Sequence, residues 1–152
     1  MADFIYNKFK TGAMQGSYNL GSFPLYVAIA TNSYTPDIDN DAYLAHVIGT
    51  AGQEVSGVAY TSPGVALSNP AVTQDDTDDE GVLDADDILW AGATFGSALY
   101  AIVYGSSGLG TASDPLVMAM YLGTDSSTAN YWAVTAGTFQ VTWNAEGLLN
   151  LN

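Results

Sequence analysis

The sequence predicts an all-β domain, an antiparallel sandwich or jelly-roll-like fold with one short N-terminal helix. First, 48% of its 152 residues are apolar and 12% are aromatic, which suits a packed core. Second, 16 glycines, together with Ser, Asn and Pro, separate short apolar segments as turns separate strands. Third, Phe139, Val141 and Trp143 alternate with polar residues, so they share one face of a strand. We expect a single domain over residues 1–152.

Residues 3–15 are the one segment predicted to be helical. Asp3 is placed to cap the helix, Phe4 and Phe9 give it an incomplete apolar face, and Gly16 ends it. The apolar face would pack against the domain's own sheet or dock onto a neighbouring chain.

The remainder is predicted to be β-rich. The predicted strands are residues 25–31, 54–60, 65–74, 88–90, 98–104, 116–122, 131–135 and 138–144. Pro70 lies inside the third of them, which therefore has to be an edge strand or to contain a bulge. Residues 26–30 are too uniformly apolar for one face to be wet. We expect them to be covered by core on one side and by another layer or subunit on the other. The similar phrases AGATF at 91–95 and TAGTF at 135–139 are too short to indicate a repeat.

The charge balance excludes several function classes. The net charge is −14, and Lys8 and Lys10 are the only basic residues besides His46. Binding to nucleic acid or to an anionic membrane surface needs clustered Lys or Arg, so neither partner is expected. No apolar run is long enough to cross a membrane, and no signal peptide is visible. With no cysteine, a lone His46 and no nucleophile-elbow motif, we expect no catalytic residue and no enzymatic activity.

Charge is also unevenly placed along the chain. Residues 11–36, 88–113 and 126–145 carry no charged side chain, whereas residues 75–87 hold eight of the sixteen acids. Uncharged segments with aromatic residues are typical of interface cores. We therefore expect a subunit of a larger assembly, with these candidate contact residues: Phe4, Phe9, Tyr26, Tyr34, Tyr100, Tyr104 and Trp132.

The acidic segment nearly matches an EF-hand calcium loop. By spacing, the candidate ligands are Asp76, Asp78, Glu80 and Asp87, and Gly81 stands at the turn position. The last ligand is Asp rather than Glu, and neither flank is predicted to be helical. The alternatives are a solvated acidic loop and a calcium site outside the EF-hand fold. Residues 37–41 form a second, weaker acidic cluster, and no other cofactor is expected.

Several long phrases resemble a family of small tailed-bacteriophage virion structural proteins. They are FxYNxF at 4–9, VAIATNSYTPD at 27–37, EVSGxAYT at 54–61, LDADDIxW at 83–90 and GTFxVxWNAxGLL at 137–149. The resemblance covers nearly the whole chain and brings no catalytic motif. The chain departs from the family pattern at residues 62–64, where relatives tend to have Gly-Gly, and in lacking arginine.

The resemblance implies a virion structural protein, made in the host cytoplasm. We expect a capsid decoration (cement) protein that clamps neighbouring subunits on the head exterior. Its partners would be the major capsid protein and further copies of itself, with a trimer as the expected oligomer. Two alternatives remain open: a neck, tail or fibre-associated virion subunit, and a calcium-dependent carbohydrate-binding module.

Overall fold

The predicted all-β class is confirmed by a computed structural model, which describes residues 3–107, 113–123 and 131–151. Within these ranges the chain forms nine strands and two short helices. In chain order the elements are β1 (Phe4–Ile5), α1 (Asn7–Met14), β2 (Leu25–Thr31), α2 (Ala45–Ile48), β3 (Val65–Ala66), β4 (Ala71–Asp75), β5 (Glu80–Asp84), β6 (Ile88–Gly105), β7 (Leu116–Tyr121), β8 (Trp132–Val141) and β9 (Leu149–Leu151). No helix in the described part of the chain is long and apolar enough to span a membrane.

The strands form two antiparallel sheets. The main sheet has the order β1-β7-β6-β2-β3, with β8 also paired to β6, and the second has the order β4-β5-β9. Ala98 of β6 pairs with both Thr31 of β2 and Trp132 of β8. Because a strand has two edges, β8 lies on the β6 edge opposite β2, which β7 occupies further along. Thus β7 and β8 follow one another along the same edge of β6.

The core is centred on β2 and the second half of β6. Val27, Ala28, Ile29 and Ala30 are completely buried. The prediction that this segment is covered on both faces is confirmed, and the chain's own residues supply the cover without a second subunit. Burying a Val or Ile side chain in this way contributes about 1.5–3 kcal/mol relative to exposure.

The helix begins later than predicted. Phe4 and Ile5 pair with Ala119 and Met118 of β7 as strand β1, and α1 starts at Asn7. Asp3 caps no helix, since its Oδ1 accepts a hydrogen bond from the backbone N–H of Tyr121 at 2.7 Å. The free edge of β7 offers these residues backbone hydrogen bonds, and this tertiary pairing outweighs the local helical pattern.

Six of the eight predicted strands are corrected. Residues 54–60 form isolated bridges rather than a strand, because the positive φ of Gly57 and Ala59 breaks the extended backbone. Residues 65–74 divide into β3 and β4, with Pro70 between them as the last residue before β4. Segments 88–90 and 98–104 are parts of the 18-residue β6, and 131–135 and 138–144 largely merge into β8.

Candidate interaction surface

The first half of β6 and the whole of β8 form a two-stranded extension of the main sheet, which we call the β6–β8 ribbon (residues 88–98 and 132–141). Neither strand carries a charged side chain. Six of the ten β8 residues are exposed, which is unusual for so uncharged a segment in a chain of net charge −14. The ribbon is therefore the structural counterpart of the charge segregation in the sequence.

Three bulges coil the ribbon. Between successive register pairs, β6 has one extra residue near Gly92 and another near Ser97, and β8 has one near Ala136. All three have positive φ, of 67°, 63° and 48° respectively, and Thr94 Oγ1 accepts a hydrogen bond from Ala136 N at 2.8 Å. Bulges increase local twist. The phrases at 91–95 and 135–139 face one another here, so their likeness reflects two matching bulge segments.

The outer edge of β8 has no strand partner within the described ranges. β1 and β3, at the two ends of the main sheet's strand order, have only two residues each, whereas β8 has ten. Short edge strands, charges and prolines are the usual protection of sheet edges. β8 is long and contains neither a charged residue nor a proline. Within the described residues, the bulge at Ala136 is therefore the one feature that protects this edge.

A groove of about 430 Å³ lies beside the ribbon. Its walls are residues 120–122 at the end of β7, Trp132 at the start of β8, and residues 138–142 at the end of β8. Trp132 is 39% exposed, and its Nε1 donates to the carbonyl oxygen of Leu122 at 2.7 Å. Phe139 and Val141 are buried beneath the groove, whereas Gln140 is exposed. None of these described lining residues is charged.

The structure separates the seven predicted contact residues into two groups. Phe9, Tyr34, Tyr100 and Tyr104 are at most 3% exposed within the chain's own core, so they are not available to a neighbouring chain in this conformation. Phe4 and Tyr26 are half-buried, and Trp132 is exposed beside the groove. The surface that remains available to a neighbouring chain is therefore smaller than predicted and is centred on β8.

Buried tyrosines instead tie loops to the core. The hydroxyls of Tyr6 and Tyr34 lie 2.8 Å apart, and Tyr34 donates to Asp41 Oδ2 at 2.6 Å. Burial raises the pKa of both tyrosines far above its ordinary value. His46 Nδ1 accepts from Ala42 N at 3.1 Å and lies 3.5 Å from Asp41 Oδ1, so the lone histidine completes a loop-fixing network.

The structure does not bring the four predicted calcium ligands together. Asp76 and Asp78 are exposed in the turn between β4 and β5, whereas Glu80 is buried and accepts from Asn150 Nδ2 at 2.8 Å. Asp87 follows β5 and accepts from Trp143 N at 3.1 Å. The extended β5 carries Asp87 away from the turn, which explains the separation. Across the described ranges, no three His, Asp or Glu side chains are grouped to hold a metal ion.

Carboxylates in the acidic turns accept hydrogen bonds from the backbone of the same turn. Hydrogen bonds from the N–H groups of Thr77 and Asp78 to Asp75 lower the pKa of that carboxyl. Similarly, the side chain and backbone N–H of Asn40 lower the pKa of Asp37 in the second acidic cluster. In both clusters, carboxylates thus hold the backbone of their own turn.

Comparison with known proteins adds no relative: no family model, curated protein or solved structure matches the chain. The features that sequence reasoning missed are the groove and the continuous β8 edge. One signal for them was present, because the paired phrases at 91–95 and 135–139 contain the residues of two bulges.

Proposed function

We propose that this chain is a structural subunit of a tailed-phage virion, a decoration protein on the head exterior, which adheres to neighbouring chains through the outer edge of β8. The observation that carries the proposal is this ten-residue, uncharged edge in a strongly acidic protein. The virion context itself rests on the resemblance of the sequence phrases given above.

The edge suits adhesion for an electrostatic and a hydrogen-bonding reason. An unpaired strand offers N–H and C=O groups to a strand of a partner, and side chains at alternate positions add specificity. Two copies of a chain with net charge −14 repel one another where acids meet. An uncharged edge lets them approach without that penalty, and it equally suits the major capsid protein.

Symmetry distinguishes the forms that self-association would take. Antiparallel pairing of β8 with β8 of a second copy is self-complementary and gives a two-fold dimer. A trimer requires β8 to contact a different surface of the next copy. Many such weak contacts on a capsid lattice act together through avidity.

The test places a charge on the edge. Thr135 is exposed in β8, and Thr73 is an exposed threonine in β4, which makes Thr73→Lys the matched control for Thr135→Lys. We expect Thr135→Lys to weaken binding to capsids purified without this protein by about tenfold or more, since a charge in an interface core costs over 1 kcal/mol. Thr73→Lys should bind like the parent chain. Equal binding by both variants would contradict the role of the β8 edge.

The number and position of copies of this chain in the virion distinguish a head decoration protein from a neck, tail or fibre-associated subunit. Cryo-EM of the virion should find density for this chain repeated with the capsid lattice. Density restricted to a few rings at the neck or tail would favour that alternative. Sedimentation across a salt series should show larger assemblies as salt screens the acids, and assemblies that shrink with added salt would contradict the electrostatic argument.

A further inference from the structure

We propose that the groove beside the β6–β8 ribbon is a calcium-independent binding site for a neutral oligosaccharide. This inference does not depend on the virion role, since it concerns ligand binding in the groove rather than strand pairing along the outer edge of β8. It rests on three features of the described lining residues: a fixed, partly exposed indole, a row of uncharged polar side chains, and the absence of charge.

Trp132 supplies an apolar platform. Its Nε1 is already engaged with the carbonyl oxygen of Leu122 at 2.7 Å, so the exposed remainder of the ring is carbon surface in a fixed orientation. Aromatic carbon surfaces attract the C–H groups of sugar rings through burial and the negative ring face. Since the indole is already held in place, ligand binding would cost little side-chain entropy.

A row of polar groups lies at the end of β8. Thr138, Gln140 and Thr142 are exposed and alternate with buried Phe139 and Val141, so they share the outward face. Hydroxyl and amide groups both donate and accept hydrogen bonds, as sugar hydroxyls do. The row therefore matches the hydrogen-bonding character of a carbohydrate.

Asp87 positions the central amide of this row. Its Oδ2 accepts from Gln140 Nε2 at 3.1 Å, and its Oδ1 accepts from Trp143 N at 3.1 Å. Because the Gln140 amide nitrogen donates to Asp87, the carbonyl oxygen of the same amide points away from Asp87. That oxygen can therefore accept a hydrogen bond from a ligand hydroxyl. Asp87, which the calcium-loop spacing assigned to a metal, is thus a positioning residue for this groove.

The electrostatics favour a neutral ligand. None of the described lining residues is charged, so no group pairs with a phosphate or sulfate, and the net charge of −14 repels such anions. A basic peptide would find its counter-charges on the acidic turn between β4 and β5 instead. The volume of about 430 Å³ lies within the range of small-ligand clefts, roughly 300–1,000 Å³.

The experiment titrates maltohexaose, cellohexaose, xylohexaose and chitohexaose into the chain in EDTA, with calorimetry and indole NMR signals as readouts. We expect at least one probe to bind and to shift the Trp132 indole signal. Trp132→Ala should weaken that binding about tenfold or more, and Thr142→Val, a substitution of similar shape at an exposed site, about threefold. Tyr43→Ala removes an exposed aromatic ring outside the groove and should leave binding unchanged.

Three results would overturn the proposal: no binding of any probe at millimolar concentration, binding that vanishes in EDTA, or equal binding by Trp132→Ala and the parent chain. A Trp132 signal that moves with protein concentration but not with sugar would instead assign the groove to a contact between copies. Failure of the capsid-binding test leaves this result unaffected, because that test alters Thr135 on β8, outside the groove lining.

Discussion

Raising the pH above 10 should unfold this protein by ionising tyrosines that its core keeps neutral. Burial is the main cause that raises the pKa of Tyr6, Tyr34, Tyr60 and Tyr104 well above the ordinary value of 10. Each of the four hydroxyls also has a hydrogen-bond partner inside the fold. In the unfolded chain the same groups ionise near pH 10. Stability is therefore complete below pH 10 and falls as the pH rises towards the folded-state values.

The magnitude follows from proton linkage. At pH 11 each protected tyrosine favours the unfolded state by about 1.4 kcal/mol, so four together give about 6 kcal/mol. That loss is comparable to the whole free energy of unfolding of many domains, about 5–15 kcal/mol. Tyr6→Phe removes one titrating group, so the slope of the unfolding free energy against pH should fall by at most about a quarter. At neutral pH the lost hydroxyl contact with Tyr34 should cost about 1 kcal/mol.

Urea denaturation followed by tryptophan fluorescence, repeated between pH 8.5 and about 11, measures this slope. Tyr43→Phe is the matched control, because it removes a tyrosine whose side chain is 42% exposed rather than buried in the core. Absorbance at the phenolate band, recorded in parallel, reports when the tyrosines ionise. An unfolding free energy that stays constant between pH 9 and 11 would refute the reasoning, as would ionisation of these four buried tyrosines while the chain is still folded.

Three further outcomes test the fold and the acidic turn. Gly64→Ala should destabilise by about 3 kcal/mol or more in urea denaturation, because φ is +104° and a Cβ would collide with the Val27 carbonyl, whereas Gly52→Ala, at φ +85° with open space around it, should cost only about 1 kcal/mol. Ile102→Ala, at a fully buried site, should cost about 2–5 kcal/mol, against about 0.5 kcal/mol or less for Leu89→Ala at a 57% exposed site. Calcium should raise the melting temperature no more than magnesium does at equal ionic strength, and a calcium-specific rise abolished by Asp76→Asn would show that the turn assembles a site.

Sequence reasoning reached the buried strands and failed where long-range contacts decide the structure. β2 has the predicted bounds, because seven consecutive residues suited to a buried strand leave no competing pattern. The prediction split β6 and β8 where alternation breaks, at Gly92, Ser97 and Ala136. Pairing between the two strands carries the backbone through these bulges, and that pairing is invisible in a local pattern.

The candidate surface, like the fold, could be predicted from the sequence only in part. Its lack of charge is a property of composition and was predictable. Which tyrosines face outward was not, because Tyr34 is buried by partners distant in sequence, with Tyr6 28 residues away. The calcium-loop spacing failed for a similar reason. It assumes a compact loop after Gly81, whereas pairing with β4 and β9 extends those residues as β5.

The bulges would also limit uncontrolled association through the outer edge of β8. A flat ten-residue edge would template pairing in several registers, and register is weakly specified when neither face is strongly apolar. The extra residue at Ala136 divides β8 into two short stretches with different twist. A partner strand has to match that irregularity or pair over half the length. In the proposed function, the ribbon would therefore combine an uncharged surface that permits contact with a backbone shape that selects the partner.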